Sequence, residues 1–496
     1  MRSYNLQPTI EALKIAVDPR VHQPHGPEVY WALQTILSGI GYPWREMPFT
    51  SDESVDVAYG VADANAPKSR VFIHADLHLW NKRSTHRLSR IITNGQWTHP
   101  LYRHERAHGT CGKHHADTKV ITRDVIFDFY WLATGQEESF FRRNKHGHLE
   151  FDRHDSAEIH GLQTAVASEI AVQLEHLLSD AGFPSPTPRW PHGKLAAACL
   201  SHDVDYPEII RFLEPLFLIY REGLRGIASA AAMFAGRKHH WHFDSWMRAE
   251  QDRRMRSVFY FVPKQGSLWR YATGTPDPFY DVRSHRFKRL FKRLIAEGFE
   301  IGMQASYRAC ESFHAFVQEK QLLEEMSGQC INGNRHHYWH LHPREPESTL
   351  VFHEKAGLLY DASLNHERYI GWRRGLTWPF FPFIQKERRA VKTLQLPTAW
   401  MDDQLFGHKR DNPGEPFDIL HGLMNRVTAQ GGCFLISIHE YVFDHSLFPE
   451  WSDRYLRVLD TLAQSSSFWM ALPKEIAEHW VARHNRILGA SHGLSL

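Results

Sequence analysis

A chain of 496 residues exceeds one ordinary domain, and 42% hydrophobic with 23% charged residues is the balance of a soluble globular protein. A net charge of +2 gives no global electrostatic ground for binding nucleic acid or an anionic membrane. The five cysteines (Cys111, Cys199, Cys310, Cys330, Cys433) are odd in number and lack paired spacing, which fits a reducing compartment rather than a disulfide scaffold.

The first twenty residues carry no apolar core of signal-peptide length, and the small-residue run Gly226–Gly236 is too short to span a bilayer. The expected location is cytoplasmic, with no transmembrane segment. Apolar spacing predicts an amphipathic helix near Pro27–Leu37, a strand at Val71–His74 and a long helix near Ala157–Ala181. Between them "LYRHERAHGTCGKHHADTKV" holds His104, His108, Cys111, His114 and His115. That spacing suits zinc in principle, but without a second Cys pair a basic loop is the favoured reading. "GFPSPTPRWPHGK" (Gly182–Lys194), with four prolines, reads as a linker.

Beyond it, short apolar or β-branched segments alternate with amphipathic helices. The strands are "LAAACLSHDVD", "RSVFYFVP", "FEIGMQAS", "INGNRHHYW", "LLYDASL", "LQLPTA" and "GCFLISIHEY". Such alternation predicts an α/β domain of parallel strands, whose carboxyl edge is where ligands bind. The expected organisation is an N-terminal mixed α/β accessory domain (1–185), a linker (186–193), the strand–helix domain (194–485) and a tail (486–496).

Polar residues gather where these strands end. Asp203 and Asp205 stand two apart on a strand, so their side chains share a face. Two ionised carboxylates there repel unless a cation or a shared proton relieves them. A divalent metal, with one Asp as ligand and the other as base, is one solution; Asx-turn or capping chemistry is the other, and on this motif alone the two stand level. "NGNRHHYWHLHP" supplies Arg335 with His336, His337, His340 and His342; read as a strand, it turns His336, His340 and His342 to one face. A polar, His-rich loop explains that segment alone, and a hydrogen-bonded core residue explains His439 at the end of "LISIHEY". "AWMDDQLFG" can bring Asp402 to the pocket, with Asp403 in solvent, and "RKHHWH" (Arg237–His242) reads as surface. No phosphate-binding glycine loop and no G-x-S-x-G motif occurs, which disfavours phosphoryl transfer and serine-hydrolase chemistry.

Taken together, the order and spacing of these segments resemble the polysaccharide deacetylase (NodB-homology) superfamily, carbohydrate esterase family 4. The resemblance is closer to a bacterial branch with a divergent N-terminal domain, whose first motif reads T-H-D-V-D where the wider superfamily has T-F-D-D-G. Here it is Ser201-His202-Asp203-Val204-Asp205. "GFEIGMQASY" (Gly298–Tyr307), "RHHYWH" (Arg335–His340), "AGLLYDASL" (Ala356–Leu364), "GWRRGLTWPFFPF" (Gly371–Phe383) and Ile438-His439 match the later motifs. "RDVIFDFYWLATGQEE…HGHLEF" (Arg123–Phe151) matches an upstream one, so the likeness covers roughly residues 120 to 480.

The resemblance implies a deformed (β/α) barrel and metal-assisted hydrolysis of an N- or O-acetyl group on a sugar, the work of a hydrolase of non-peptide carbon–nitrogen bonds. It makes Asp203 the base, Asp205 a ligand of a divalent metal (zinc first) and His439 the general acid. It places Arg335, Tyr307, Trp372, Arg373 and Asp402 with the substrate, Trp372 as a sugar platform. The implied partner is a carbohydrate, not nucleic acid; oligomeric state stays open. One position departs: the branch has a His ligand where this chain has Gln304, and a wider-family H-x-x-x-H would put its second His at Arg308. Three readings follow. The metal is held by Asp205 with His337, or a harder ion is held with the Gln304 amide oxygen, or catalysis is lost and a carbohydrate-binding or assembly protein remains.

Overall fold

The computed structural model describes residues 11–82, 118–151, 161–208, 215–216, 219–220, 223–235, 240–267, 269, 274–343, 345–407, 415–445 and 448–491. The His/Cys stretch 104–115 and Arg237–His239 lie outside them. His240 and His242, expected at the surface, are instead packed: His240 is buried with Nδ1 3.0 Å from the Tyr206 carbonyl, and the His242 ring stacks on Phe443.

The N-terminal part forms a five-stranded, all-parallel sheet in the order β2-β1-β3-β4-β5. Its strands are β1 (Leu13–Val17), β2 (Trp44–Met47), β3 (Ser54–Gly60), β4 (Lys68–His74) and β5 (Lys119–Ile121). The helix expected from Pro27 begins earlier, as α1 (Pro19–Ile40). The Asp18 carboxylate caps the Arg20 amide at 2.9 Å, and Pro19 sits at the first helical position, where the missing N–H costs nothing. Pro24 and Pro27 inside it are accommodated by a kink at His25. The long helix runs Val166–Asp180, offset from the turn before it by Ala165 in the left-handed region. A two-stranded hairpin, β6 (Arg142–Arg143) with β7 (Leu149–Glu150), leads toward the second sheet.

That second sheet is also parallel. Its order is β15-β12-β11-β10-β9-β8-β16, with β17 (Phe468–Met470) pairing the start of β8. The strands are β8 (Ala196–Val204), β9 (Ser257–Phe261), β10 (Glu300–Ala305), β11 (Gly333–His336), β12 (Tyr360–Asp361), β15 (Leu394–Gln395) and β16 (Cys433–His439). β8 and β16 are buried along their whole length, as strands covered on both faces must be. A single parallel bridge from Thr398 to Leu435 joins the β15 end of the row to β16. The row therefore curls into a barrel closed by one bridge. The architecture is a deformed, parallel (β/α) barrel; an outlying hairpin, β13 (Phe383–Ile384) with β14 (Arg389–Ala390), lies off it.

The proline-rich stretch between the sheets is packed. Trp190 is buried with Nε1 donating to the Gly431 carbonyl at 2.9 Å, and the Tyr42 hydroxyl donates to Pro184 at 2.9 Å. One apolar cluster runs from Leu13 through α1 and Trp190 to Ala197 and Trp480, so both sheets share core. Among the described residues no helix is long and apolar enough to cross a membrane.

Candidate active site

Parallel strands bring their carboxyl ends to one rim, and the marked residues of the sequence meet there. β8 delivers Asp203 opposite His439 of β16 in register, while β10 and β11 pair Gln304 with Arg335. Arg335 is wholly buried. Its Nη1 donates to Asp203 Oδ1 at 2.6 Å and to Ser437 Oγ at 2.8 Å, and its Nη2 donates to Ser201 Oγ at 2.9 Å. The Tyr260 ring lies 4.6 Å from the guanidinium carbon. A buried charge pair is tolerable when most of its hydrogen bonds are met; Asp203 and the two serines engage both terminal nitrogens, and Nε alone is left without a partner. Arg335, expected beside the substrate, thus acts on the Asp203 carboxylate.

Asp205 lies one residue past β8. Gln304 Nε2 donates to its Oδ1 at 3.0 Å, while its Oδ2 faces His337 Nε2 at 3.5 Å and His439 Nε2 at 3.4 Å. Both imidazoles are oriented from behind by carboxylates: Asp277 Oδ1 stands 3.4 Å from His337 Nδ1, and Asp402 Oδ1 stands 2.8 Å from His439 Nδ1. Asp402 also accepts the His439 backbone N–H at 2.8 Å. Burial on its own would raise the Asp205 carboxyl, but His337 and then His439 hold it far below the usual carboxylate range. Burial would likewise discharge the imidazoles. The Asp205 and Asp277 carboxylates overcome it at His337, raising it to about 9, and Asp402 with Asp205 holds His439 well above its ordinary value. Both imidazoles are pulled toward the protonated form by the carboxylates around them, with Asp205 between them.

Around Asp205, Gln304 Oε1 and His337 Nε2 make no hydrogen bond, and neither do Asp277 Oδ2, behind His337, or the carboxyl oxygens of Glu440, which follows His439 in sequence. Unmet groups of this kind mark where a ligand, ion or water belongs. Among the described residues, no three His, Cys, Asp or Glu side chains come together as a cation site. A divalent ion therefore fits only with an amide as third donor: Asp205, His337 and the orphaned oxygen of Gln304. The donor types are right, with a carboxylate, a carboxylate-backed imidazole and an amide oxygen; the last is the weak member for zinc.

Other expected residues fall outside this cluster. Trp372, read as a sugar platform, is 1% exposed inside the core, so neither ring face is open to a sugar. Arg373 is spent on Glu138, donating from Nε at 2.9 Å and from Nη2 at 2.8 Å. The Tyr307 hydroxyl contacts His146 Nδ1 at 2.6 Å and its ring stacks on His340 at 3.9 Å. The His-rich segment does not continue as a strand: β11 stops at His336, and Tyr338 and Trp339 take positive φ of 59° and 47°. That turn gives the histidines separate surroundings. His337 points to Asp205, His336 meets His353 (Nε2 to Nε2, 2.9 Å), and His340 Nδ1 lies 2.6 Å from the Tyr307 carbonyl. The sequence pattern does not single out Asp277, Ser437 or Glu440, and the "TPDPFYD" context of Asp277 offers no periodic signal.

Neither a family profile nor a curated relative matches the sequence. Solved structures do resemble the chain. One, from Mycobacterium smegmatis and assigned to the polysaccharide deacetylases, is 17% identical, with 59% of this chain and 93% of that one covered, at a TM-score of 0.41. A Pseudomonas aeruginosa PAO1 protein with the same assignment is 16% identical, covering 61% and 96% at a TM-score of 0.40. The PuuE allantoinase is 16% identical, covering 61% and 95% at a TM-score of 0.41. The chain is thus similar to solved structures of polysaccharide deacetylases, while the description of its barrel stands on its own strand order and closure.

Proposed function

We propose that this chain is a hydrolase that removes an acetyl group from a saccharide. The observation that carries the reading is the meeting, at one barrel rim, of a clamped carboxylate (Asp203) and a carboxylate-backed imidazolium (His439) on either side of Asp205. Hydrolysis of an amide or ester needs a base to take the proton of the attacking water and an acid to protonate the leaving atom. Asp203 is the base; its clamp by Arg335 fixes the direction in which it accepts. His439 is the acid: Asp402 holds its Nδ1 side and leaves Nε2 to deliver a proton to the departing sugar nitrogen or oxygen. The chemistry a divalent ion bound by Asp205, His337 and Gln304 would supply is polarisation of the acyl oxygen. The burial of Asp203, Asp205 and His439 keeps bulk water from these charges and strengthens each interaction.

The test is acetate release from a panel of N- and O-acetylated saccharides, with Asp203→Asn as control. Release by the wild type that drops at least about 100-fold in the variant supports the reading. Gln304 favours a second one. Its donation to Asp205 occupies the carboxylate that a cation would use, as expected of a barrel that binds saccharide without hydrolysing it. Saccharide binding with no acetate release, with or without added zinc, would establish that alternative.

A further inference from the structure

A cleft of about 940 Å³ opens away from the barrel rim, between α1, β2, the β13–β14 hairpin and the C-terminal helix Pro473–Ser491. We infer that it is a second holding site, for a neutral saccharide chain. This rests on the saccharide reading above and extends it to an extended substrate.

The cleft is held open by specific bonds. The hairpin is tied to α1 through Trp31 Nε1, which donates to the Phe381 carbonyl at 2.9 Å. Arg388 donates to both Glu28 oxygens at 3.1 and 2.7 Å and to the Pro24 carbonyl at 2.9 Å. To do so Arg388 takes a φ of 51°, a left-handed conformation that costs an L-residue on the order of 1 kcal/mol. Strained residues persist where surrounding contacts over-determine them, and ligand clamps are a common setting.

The lining selects the ligand class. Tyr30, half-buried, lines the cleft and is backed by the buried Trp44, ring centres 5.7 Å apart at 19°, an aromatic surface of the kind that meets the C–H face of a pyranose. Beside it Gln34 accepts from Trp44 Nε1 at 3.1 Å, while its own Nε2 has no partner. Of the four cations on the walls, Arg388 is paired with Glu28 and Arg389 with both Glu354 and Glu387, while Glu46 lines the cleft with Arg45 and Lys392, so these eight groups sum to no net charge. A phosphate or carboxylate ligand would call for surplus cations, whereas sugar hydroxyls call for paired donors and acceptors next to an aromatic plane. None of the active-site residues lines this cleft, so a chain held here leaves the catalytic rim free.

The full chain carrying Asp203→Asn is titrated with neutral β-linked hexasaccharides of N-acetylglucosamine, glucose and mannose, and with inorganic phosphate, by calorimetry. At least one hexasaccharide is expected to bind. Tyr30→Ala and, separately, Arg45→Ala should weaken it by about tenfold, while either change in the wild-type background leaves turnover of an acetylated monosaccharide unchanged. Binding of no hexasaccharide, binding indifferent to Tyr30→Ala, or displacement of the sugar by phosphate overturns the inference. If the wild type releases no acetate but Tyr30-dependent binding persists, the hydrolase reading fails and the cleft stands.

Discussion

Gln304 donates its side-chain amide to Asp205 Oδ1 at 3.0 Å, in a buried setting where Asp205 Oδ2 already faces two imidazoles. An amide satisfies one lone pair of a carboxylate but brings no charge to balance it. The balance falls to His337 and His439, each pulled toward the protonated state by carboxylates on both sides. The electrostatics of the rim therefore rest on the two imidazoles and the carboxylates behind them, while Gln304 contributes a hydrogen bond.

If position 304 faces the place of a cation, an imidazole there should improve the donor set more than any change farther away. Gln304→His is expected to raise zinc affinity at least about tenfold, measured by competition with a chromophoric chelator. Unchanged affinity would show that residue 304 does not face the ion.

Arg335 is a buried cation whose bonds go to Asp203, Ser201 and Ser437. Arg335→Met removes the cation and leaves a buried carboxylate unpaired, which should cost about 3–5 kcal/mol in urea unfolding. Adding Asp203→Leu removes the orphaned charge, so the double variant should recover part of that loss. A double variant no more stable than Arg335→Met would locate the cost in packing rather than in charge.

The alternation of strands with amphipathic helices follows from local periodicity, so β8, β9, β10 and β16 and the helices His285–Ala296, Phe313–Ser327 and Pro416–Gln430 fall where the apolar pattern puts them. Asp203, Asp205, His337, His439 and Asp402 meet because parallel strands place their carboxyl ends together, a property of topology that periodicity implies. Of the N-terminal sheet, the apolar pattern marks a strand only within β4; the pairing of β1, β2, β3 and β5 beside it in parallel is a long-range property that no local pattern carries. Partnership was the other blind spot. Nothing local says that Arg373 is claimed by Glu138, 235 positions earlier, or that Trp372 is sealed in the core.

Glu138 shows how the N-terminal part grips the barrel. Its buried carboxylate binds Arg373, lies 3.1 Å from Arg143 Nη2 and 3.5 Å from Arg374 Nη1, and is held well below the usual range because these arginines outweigh the effect of burial. Gly135 makes this possible: at φ +67° it leaves room for Arg374 where a Cβ would stand 1.3 Å from the guanidinium. Glu138→Gln leaves buried guanidinium groups without their anion and should destabilise the fold by about 3–5 kcal/mol. In limited proteolysis, cleavage should concentrate between Gln136 and Phe151; unchanged stability would mean that the arginines find other acceptors.

His353 is buried beside His336, and burial depresses it to about 3 from an ordinary 6.5. Below pH 6.5 the unfolded chain takes up a proton that the folded chain refuses. Stability from this group is therefore full above pH 6.5 and declines as the pH falls toward 3, with a slope of at most about 1.4 kcal/mol per pH unit. His148 and His366, also depressed to about 3, steepen the same limb. In urea midpoints between pH 4.5 and 7, His353→Leu should flatten the decline by the share of one proton and leave the region above pH 7 unchanged. An unaltered acid slope would mean that His353 gains a proton without unfolding.

Asp402 reaches His439 twice, through the ring Nδ1 and the backbone N–H, and so fixes both the orientation and the charge of the proposed acid. Asp402→Asn keeps the shape but replaces a carboxylate with an amide that either donates to Nδ1 or repels its proton. The imidazolium loses its strongest support and its tautomer is no longer set. Acetate release should fall by about 10²–10⁴-fold, with KM nearly unchanged because Asp402 lies behind the ring and not against the substrate. The pH profile separates this role from a structural one. In the wild type the basic limb reports His439 losing its proton, and without Asp402 that limb should move to lower pH. A loss of activity with an unmoved basic limb would reassign the acid to another group, and His337, facing the same Asp205 oxygen at 3.5 Å, would be next to test.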